Sequence, residues 1–282
     1  MCRSFTIIII CTLFGCCTHS EGAAFHCHHL ESDTINGERL NGAGSGSTEY
    51  EINQKGNIRY IHDAITMSRG SLQKTMDGVI SLVECGIPVQ ISCPIMKTNL
   101  DGYKDVKEWA AQYNVSVEYD YTLIGQYNGG DANLRYRLSE EEVERVIVDE
   151  LTSNANYKSE LMKEVAENHN KTQDDYICSV CNSSICVAQN GNVFPCAGWQ
   201  GYVLGNITES SLADIWYHSS KVDYLRGLKR KDFKECENCQ QRDYCTICMV
   251  RNFNESLTGN PLEVSKYFCK VAEIKRNLIK IV

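Results

Sequence analysis

Nine cysteines crowd the C-terminal third of this chain, at spacings that suit a fold built around metal. They run Cys178-x2-Cys181-x4-Cys186-x9-Cys196, then Cys236-x2-Cys239-x5-Cys245-x2-Cys248, and finally Cys269 after twenty more residues. Sixteen cysteines in 282 residues is far more than packing needs. In a small secreted domain such density would suggest disulfides. Here the thiols come in C-x-x-C pairs, and a pair at that spacing is a natural chelating unit. Metal is therefore favoured over disulfides, but spacing alone leaves its identity open. Four thiolates also suit tetrahedral zinc, although zinc sites usually separate their two pairs by about a dozen residues or more; only five separate Cys239 from Cys245.

The remaining composition is that of an ordinary folded protein, 43% hydrophobic and 23% charged. A net charge of −8 and a pI near 5.4 argue against nucleic acid as a partner, because a phosphate-binding surface needs clustered Lys and Arg to release counterions. The N-terminus, "MCRSFTIIIICTLFGC", carries one positive charge and an apolar run from Phe5 to Phe14. Leu13-Phe14-Gly15-Cys16 looks like a bacterial lipoprotein cleavage box and predicts export with Cys16 as the lipid anchor. Labile thiolate clusters are normally built in reducing compartments, so the expectation is a cytoplasmic protein, with export as the alternative. The apolar run is too short to span a bilayer, and no other segment is long enough.

Residues 1–60 are expected to be leader-like and linker sequence, disordered, including the flexible stretch "NGAGSGST" at 41–48. "FHCHHL" at 25–30 offers three His and Cys27 but has no partner ligands in the sequence. From Ile61 the pattern changes. Leu72, Met76, Val79, Ile80 and Val83 recur at helical spacing, with Ser71 as the expected cap and Gly86 as the stop. "IPVQISCPIM" (87–96) reads as a buried parallel strand, "GYKDVKEWAAQYN" (102–114) as a helix and "VSVEYDYTLIG" (115–125) as a second strand. This order predicts βα units of an α/β fold. Ser139 and Glu142 form a capping box for a helix over 138–151, whose pattern continues loosely to about Asn168. Cys85 and Cys93 are assigned packing roles.

Taken together, the cysteine region resembles the SPASM domain, the C-terminal iron–sulfur module of radical S-adenosylmethionine enzymes that modify peptides and proteins. The resemblance lies in Cys181-x9-Gly191-x4-Cys196, the Cys236-to-Cys248 cluster and the late Cys269, with "GNITESSLADIW" (205–216) and "TGNPLEVSKYFC" (258–269) filling the intervening blocks. One departure is that two residues, not three, separate Cys245 from Cys248. Upstream, "IHDAITMSRGSLQKTMDGVISLVECGIPVQISCPIMKTN" is similar to the later half of a radical SAM partial barrel. The resemblance implies a partial, truncated barrel over 61–170 and a loop-rich iron–sulfur domain over 171–282. It also implies two auxiliary [4Fe–4S] clusters. The inner one would use Cys181, Cys196 and Cys248 with Cys178 or Cys186, and the outer one Cys236, Cys239, Cys245 and Cys269. Gly191, Gly198, Gly201 and Gly205 would let the chain approach closely.

A radical SAM enzyme cleaves S-adenosylmethionine at a cluster held by C-x3-C-x2-C, and Cys11, Cys16, Cys17 and Cys27 give none of those spacings. The chain is therefore expected to be a truncated member. It would bind S-adenosylmethionine only if the missing half-barrel were supplied, and its implied partners are a peptide or protein substrate and a reductant. Ala197 stands where the sulfatase-maturing branch has Asp, which disfavours that substrate.

Overall fold

The run expected as a buried strand forms β4 (Val89–Pro94), the middle strand of a three-stranded parallel sheet. Its β-branched residues place Ile91 and Cys93 in the core, so Cys93 has the packing role assigned to it. β5 (Ser116–Asp120) pairs with one edge, setting Ile91 opposite Val117. The other edge is taken by β1 (Ile7–Ile10), in register from Ile7 opposite Val89 to Ile10 opposite Ser92. That strand falls in the stretch expected to be a disordered leader; four consecutive Ile have the strand propensity to pair with an open edge. A separate hairpin joins β2 (Thr34–Ile35) and β3 (Glu38–Arg39).

The computed structural model describes residues 58–127 and 129–281 in addition to those three early strands. "FHCHHL", "NGAGSGST" and Cys16 lie outside the described residues. The chain divides into two units, Met1–Tyr121 and Thr122–Val282; the boundary read from sequence, at 170/171, falls within the second.

In the first unit, α1 (Ile58–Ile65) leads into α2 (Ser71–Glu84) and, beyond β4, α3 (Lys104–Ala111). Val79 of α2 and Ala110 of α3 pack with Ile91 and Val115. Gly70, not Ser71, is the N-cap of α2, and the capping acceptor comes from Asp63 of α1. The Asp63 carboxylate accepts from the backbone N–H of Gly70 (2.5 Å) and Leu72 (3.0 Å) and from the Ser71 hydroxyl (3.0 Å). The cap is therefore supplied from seven to nine residues upstream, out of reach of a local pattern. At the other end Gly86 (φ 72°) stops the helix, its N–H donating to Val83 while that of Ile87 donates to Leu82, a Schellman closure. Cys85, expected to pack, is exposed because it caps this end. Asn99 fastens the loop after β4, donating to the Pro94 carbonyl and accepting from the Met96 N–H.

In the second unit, α4 (Glu140–Ser153) carries the expected capping box, with Ser139 and Glu142 bonded reciprocally. The looser helical pattern beyond it is a separate helix, α5 (Tyr157–Asn170), because Asn154 leaves helical geometry. A three-stranded antiparallel sheet follows: β6 (Cys186–Val187), β7 (Asn192–Phe194) and β8 (Gly205–Asn206). Four helices complete the unit: α6 (Leu212–His218), α7 (Ser220–Gly227), α8 (Met249–Glu255) and α9 (Lys266–Ile281). Val193, Trp199, Val222, Leu225 and Phe233 form a hydrophobic core among the cysteine loops. Among the described residues no helix is long and apolar enough to cross a membrane.

Removing the remote cap should weaken the first unit. Asp63→Ala is expected to cost about 2 kcal/mol, one lost charge-assisted cap plus unsatisfied N–H groups. A lowered denaturant midpoint would show it, and an unchanged midpoint would exclude the capping role.

Candidate metal centre

From Lys229 to Cys248 the backbone makes no long element. It coils through 3-10 turns at Arg230–Asp232, Lys234–Cys236 and Arg242–Tyr244, while Cys239 N–H donates to the Cys236 carbonyl. Short turns of this kind hold few of their own hydrogen bonds, so the loop is fastened from outside. The Arg242 guanidinium donates to the His169 and Lys171 carbonyls at the end of α5 (3.5 and 3.3 Å). His169 Nδ1 lies 2.9 Å from Asp243 Oδ2, the Thr246 hydroxyl donates to Glu164 (2.6 Å), and Arg276 of α9 donates to Gln240 (3.3 Å). α5 and α9 thus hold the loop, and α9 itself carries Cys269.

The other cysteine loop is held by the core. Cys181 sits at φ 57°, a left-handed conformation that costs a side-chain-bearing residue on the order of 1–3 kcal/mol. Two bonds fix it there: its N–H donates to the Ser184 carbonyl (3.0 Å) and its carbonyl accepts from Arg226 Nε (2.8 Å). Arg226 also donates to the Trp216 carbonyl and stacks on the Trp216 ring, so the turn-and-helix block at 205–216 braces the Cys181 loop. Cys186 opens β6, Cys196 follows β7, and Cys248 is the N-cap of α8. Gly191 (φ 83°) turns the chain into β7, and a Cβ there would lie 2.6 Å from Asn206 Oδ1. Gly201 admits the Tyr127 carbonyl and Gly205 the Ile215 side chain, so these three glycines make room for protein atoms.

All eleven cysteines among the described residues are free thiols. Their mutual influence sorts the nine predicted ones into two groups. Burial raises the Cys196 thiol to about 11, and Cys248, Cys178 and Cys186 add to the effect. Cys181, also about 11 through burial, feels Cys178 and Cys196; Cys178, raised by burial, feels Cys248. In the second group burial lifts Cys236 to about 12, reinforced by Cys245, Cys269 and Cys239. Cys245 reaches about 11 by burial with Cys269 and Cys239 adding, and Cys269 is raised by burial with Cys239 adding. Cys248 therefore acts on the first group although it is three residues from Cys245 in sequence.

The second group opens onto a pocket with about 530 Å³ of empty space, its solvent mouth included. Cys236, Cys239, Cys245, Cys248 and Cys269 line it together with Arg230, Arg242 and Arg251. A four-thiolate [4Fe–4S]²⁺ group carries a formal charge of about −2 and fits a cysteine-lined pocket with cationic walls. The lining is thus suited to such a group. Among the described residues no three His, Cys, Asp or Glu side chains are gathered closely enough to grip a single ion. The arginines were missed in the sequence because an overall charge of −8 hides a local excess of cations. "RKDFKEC" and "CMVRN" held part of the signal, with Arg230 six residues before Cys236 and Arg251 three after Cys248.

Residues 178–241 match the SPASM family model, described as an iron–sulfur cluster-binding domain. Two curated relatives, each named AdoMet-dependent heme synthase, align over 75% of the chain: that of Oleidesulfovibrio alaskensis at 22% identity and that of Nitratidesulfovibrio vulgaris at 23%. The chain carries a SPASM domain over residues 178–241 and is similar along most of its length to these AdoMet-dependent proteins. It spans 59% and 62% of the length of those relatives. A solved structure of histidine-tagged anSMEcpe with bound AdoMet shares the fold at a TM-score of 0.51 and 16% identity, over 80% of this chain and 66% of that one. The SPASM domain makes this an iron–sulfur-binding chain of mixed α/β fold.

The raised thiols fix the pH response of the metal-free chain. Between the ordinary thiol value of 9.0 and the folded values of about 11 to 12, the unfolded chain releases protons that the folded chain keeps. The folded state then binds more protons, so stability falls as pH rises through that window. Anaerobic denaturation of the reduced, metal-free chain should show a midpoint that is level below pH 9 and declines above it; a level midpoint up to pH 11 would contradict the burial of these thiols.

Proposed function

We propose that this chain binds two auxiliary [4Fe–4S] clusters. The inner one is held by Cys178, Cys181, Cys196 and Cys248, and the outer one by Cys236, Cys239, Cys245 and Cys269. The observation that carries the reading is the pocket lined by Cys236, Cys239, Cys245, Cys248 and Cys269 beside three arginines, next to the match to an iron–sulfur cluster-binding domain; the influence of Cys248 on Cys178 and Cys196 supports its place at the inner site. Cys178 is preferred to Cys186 as the fourth inner ligand because Cys181 and Cys196 both feel it, whereas Cys186 acts only on Cys196, and there last. Such clusters, when bound, supply one-electron chemistry or a fixed Lewis-acidic surface. The chain's own part is to hold the ligands in place, through Arg226 on the Cys181 loop and Arg242 on the Cys236–Cys248 loop.

The resemblance supports a role in radical SAM chemistry with a reductant as partner, and thiolate-held clusters suit the reducing cytoplasm. Cleavage of S-adenosylmethionine would require a C-x3-C-x2-C segment in the assembly. The peptide or protein substrate implied by the SPASM resemblance now has a rival in the tetrapyrrole chemistry that the relatives' name suggests.

Anaerobic reconstitution should load about eight irons per chain, with broad charge-transfer absorption. Cys248→Ala and Cys178→Ala should each leave about four, all in the outer site, while Cys186→Ala keeps about eight. Stoichiometric zinc without that absorption would refute the cluster reading. Loss of the outer cluster on Cys248→Ala would refute the crossed ligation.

A further inference from the structure

Three arginines line the outer pocket, and two of them are engaged elsewhere. Arg242 is spent on the α5 carbonyls, and Arg251 donates to the Thr122 hydroxyl and stacks on Phe268. Arg230 differs. It is only 4% exposed, and among the described residues its guanidinium makes no hydrogen bond or ion pair. Its backbone is fixed by its N–H donating to the Asp175 carbonyl (3.1 Å), but the Asp175 carboxylate turns back to accept from the Thr172 N–H. The nearby groups favouring its charge are Cys245, Cys236 and Asp175, while burial and Arg242 oppose it. A guanidinium does not deprotonate in proteins, and a buried cation without a counterion is strongly unfavourable. An anion held in this pocket would compensate the charge.

We propose that Arg230 is the electrostatic partner of the outer site, where its buried guanidinium offsets the charge of the thiolate-ligated core and raises its reduction potential. This rests on the two-cluster reading. Arg230 touches the site's field without supplying a ligand, so it is a tuning and positioning residue. When a low-potential donor such as dithionite adds one electron, the ligated group passes from about −2 to about −3 in formal charge, with no bond broken and no proton taken up. A nearby cation favours the more negative form.

The test is potentiometric titration of the reconstituted full chain, followed by electron paramagnetic resonance, with Cys196→Ala used to assign the outer signal. Arg230→Met should lower the outer midpoint by at least a tenfold change in the reduced-to-oxidised ratio, equivalent to about 59 mV for one electron, and leave the inner midpoint in place. Arg230→Lys should retain most of the wild-type value. In the metal-free chain, Arg230→Met should raise the thermal midpoint, since it removes an uncompensated charge. Loss of outer iron in Arg230→Met but not in Arg230→Lys would also support the role. Equal outer midpoints at equal iron content, or loss of outer iron in both variants, would overturn it while leaving the two clusters standing. A wild-type chain that takes up no iron would overturn both.

Discussion

Thiolates repel one another, and a chain of net charge −8 has little spare positive charge to hold nine of them in one domain. The second unit meets this constraint by concentrating cations where the sulfurs are. Arg226 acts on Cys181, Lys171 on Cys178, Arg251 and Lys275 on Cys245, and Lys266 on Cys269. Carboxylates near these cations are mostly occupied: Glu235 pairs with Lys266, and Asp243 with His169 and Arg242. The result is a basic lining within an acidic protein.

The same side chains serve the fold. Arg242 closes the C-terminal end of α5 while holding the cysteine loop, and Arg226 reads two carbonyls from separate segments. Farther along, Arg137 donates to the Leu123 carbonyl, pairs with the half-buried Glu255 of α8 and stacks on Tyr267 and Phe268 of α9. Glu255 in turn accepts from the Gly125 N–H and the Ser265 hydroxyl. This network makes α8 a rigid base for Cys248.

Local chemistry was legible in the sequence and tertiary chemistry was not. The Ser139–Glu142 box, the Gly86 stop and the strands at 89–94 and 116–120 all depend on neighbours within a few residues. The Gly70 cap depends on Asp63, and the break before α5 on Asn154, which a loosely amphipathic pattern passes over. The glycines were recognised as close-contact positions, but what they approach is Asn206, Tyr127 and Ile215. The cysteines could be read because ligand spacing is periodic information; the arginines could not, since a charge-balancing residue can come from any direction.

Only Thr246 and Ile247 lie between Cys245 and Cys248, which act on different thiol groups. Two residues have almost no slack, and the second cysteine leads directly into α8. A backbone adjustment that improves ligand geometry at one site is therefore delivered to the other. In the two-cluster reading, a change of geometry at Cys248 reaches Cys245 through only two intervening residues.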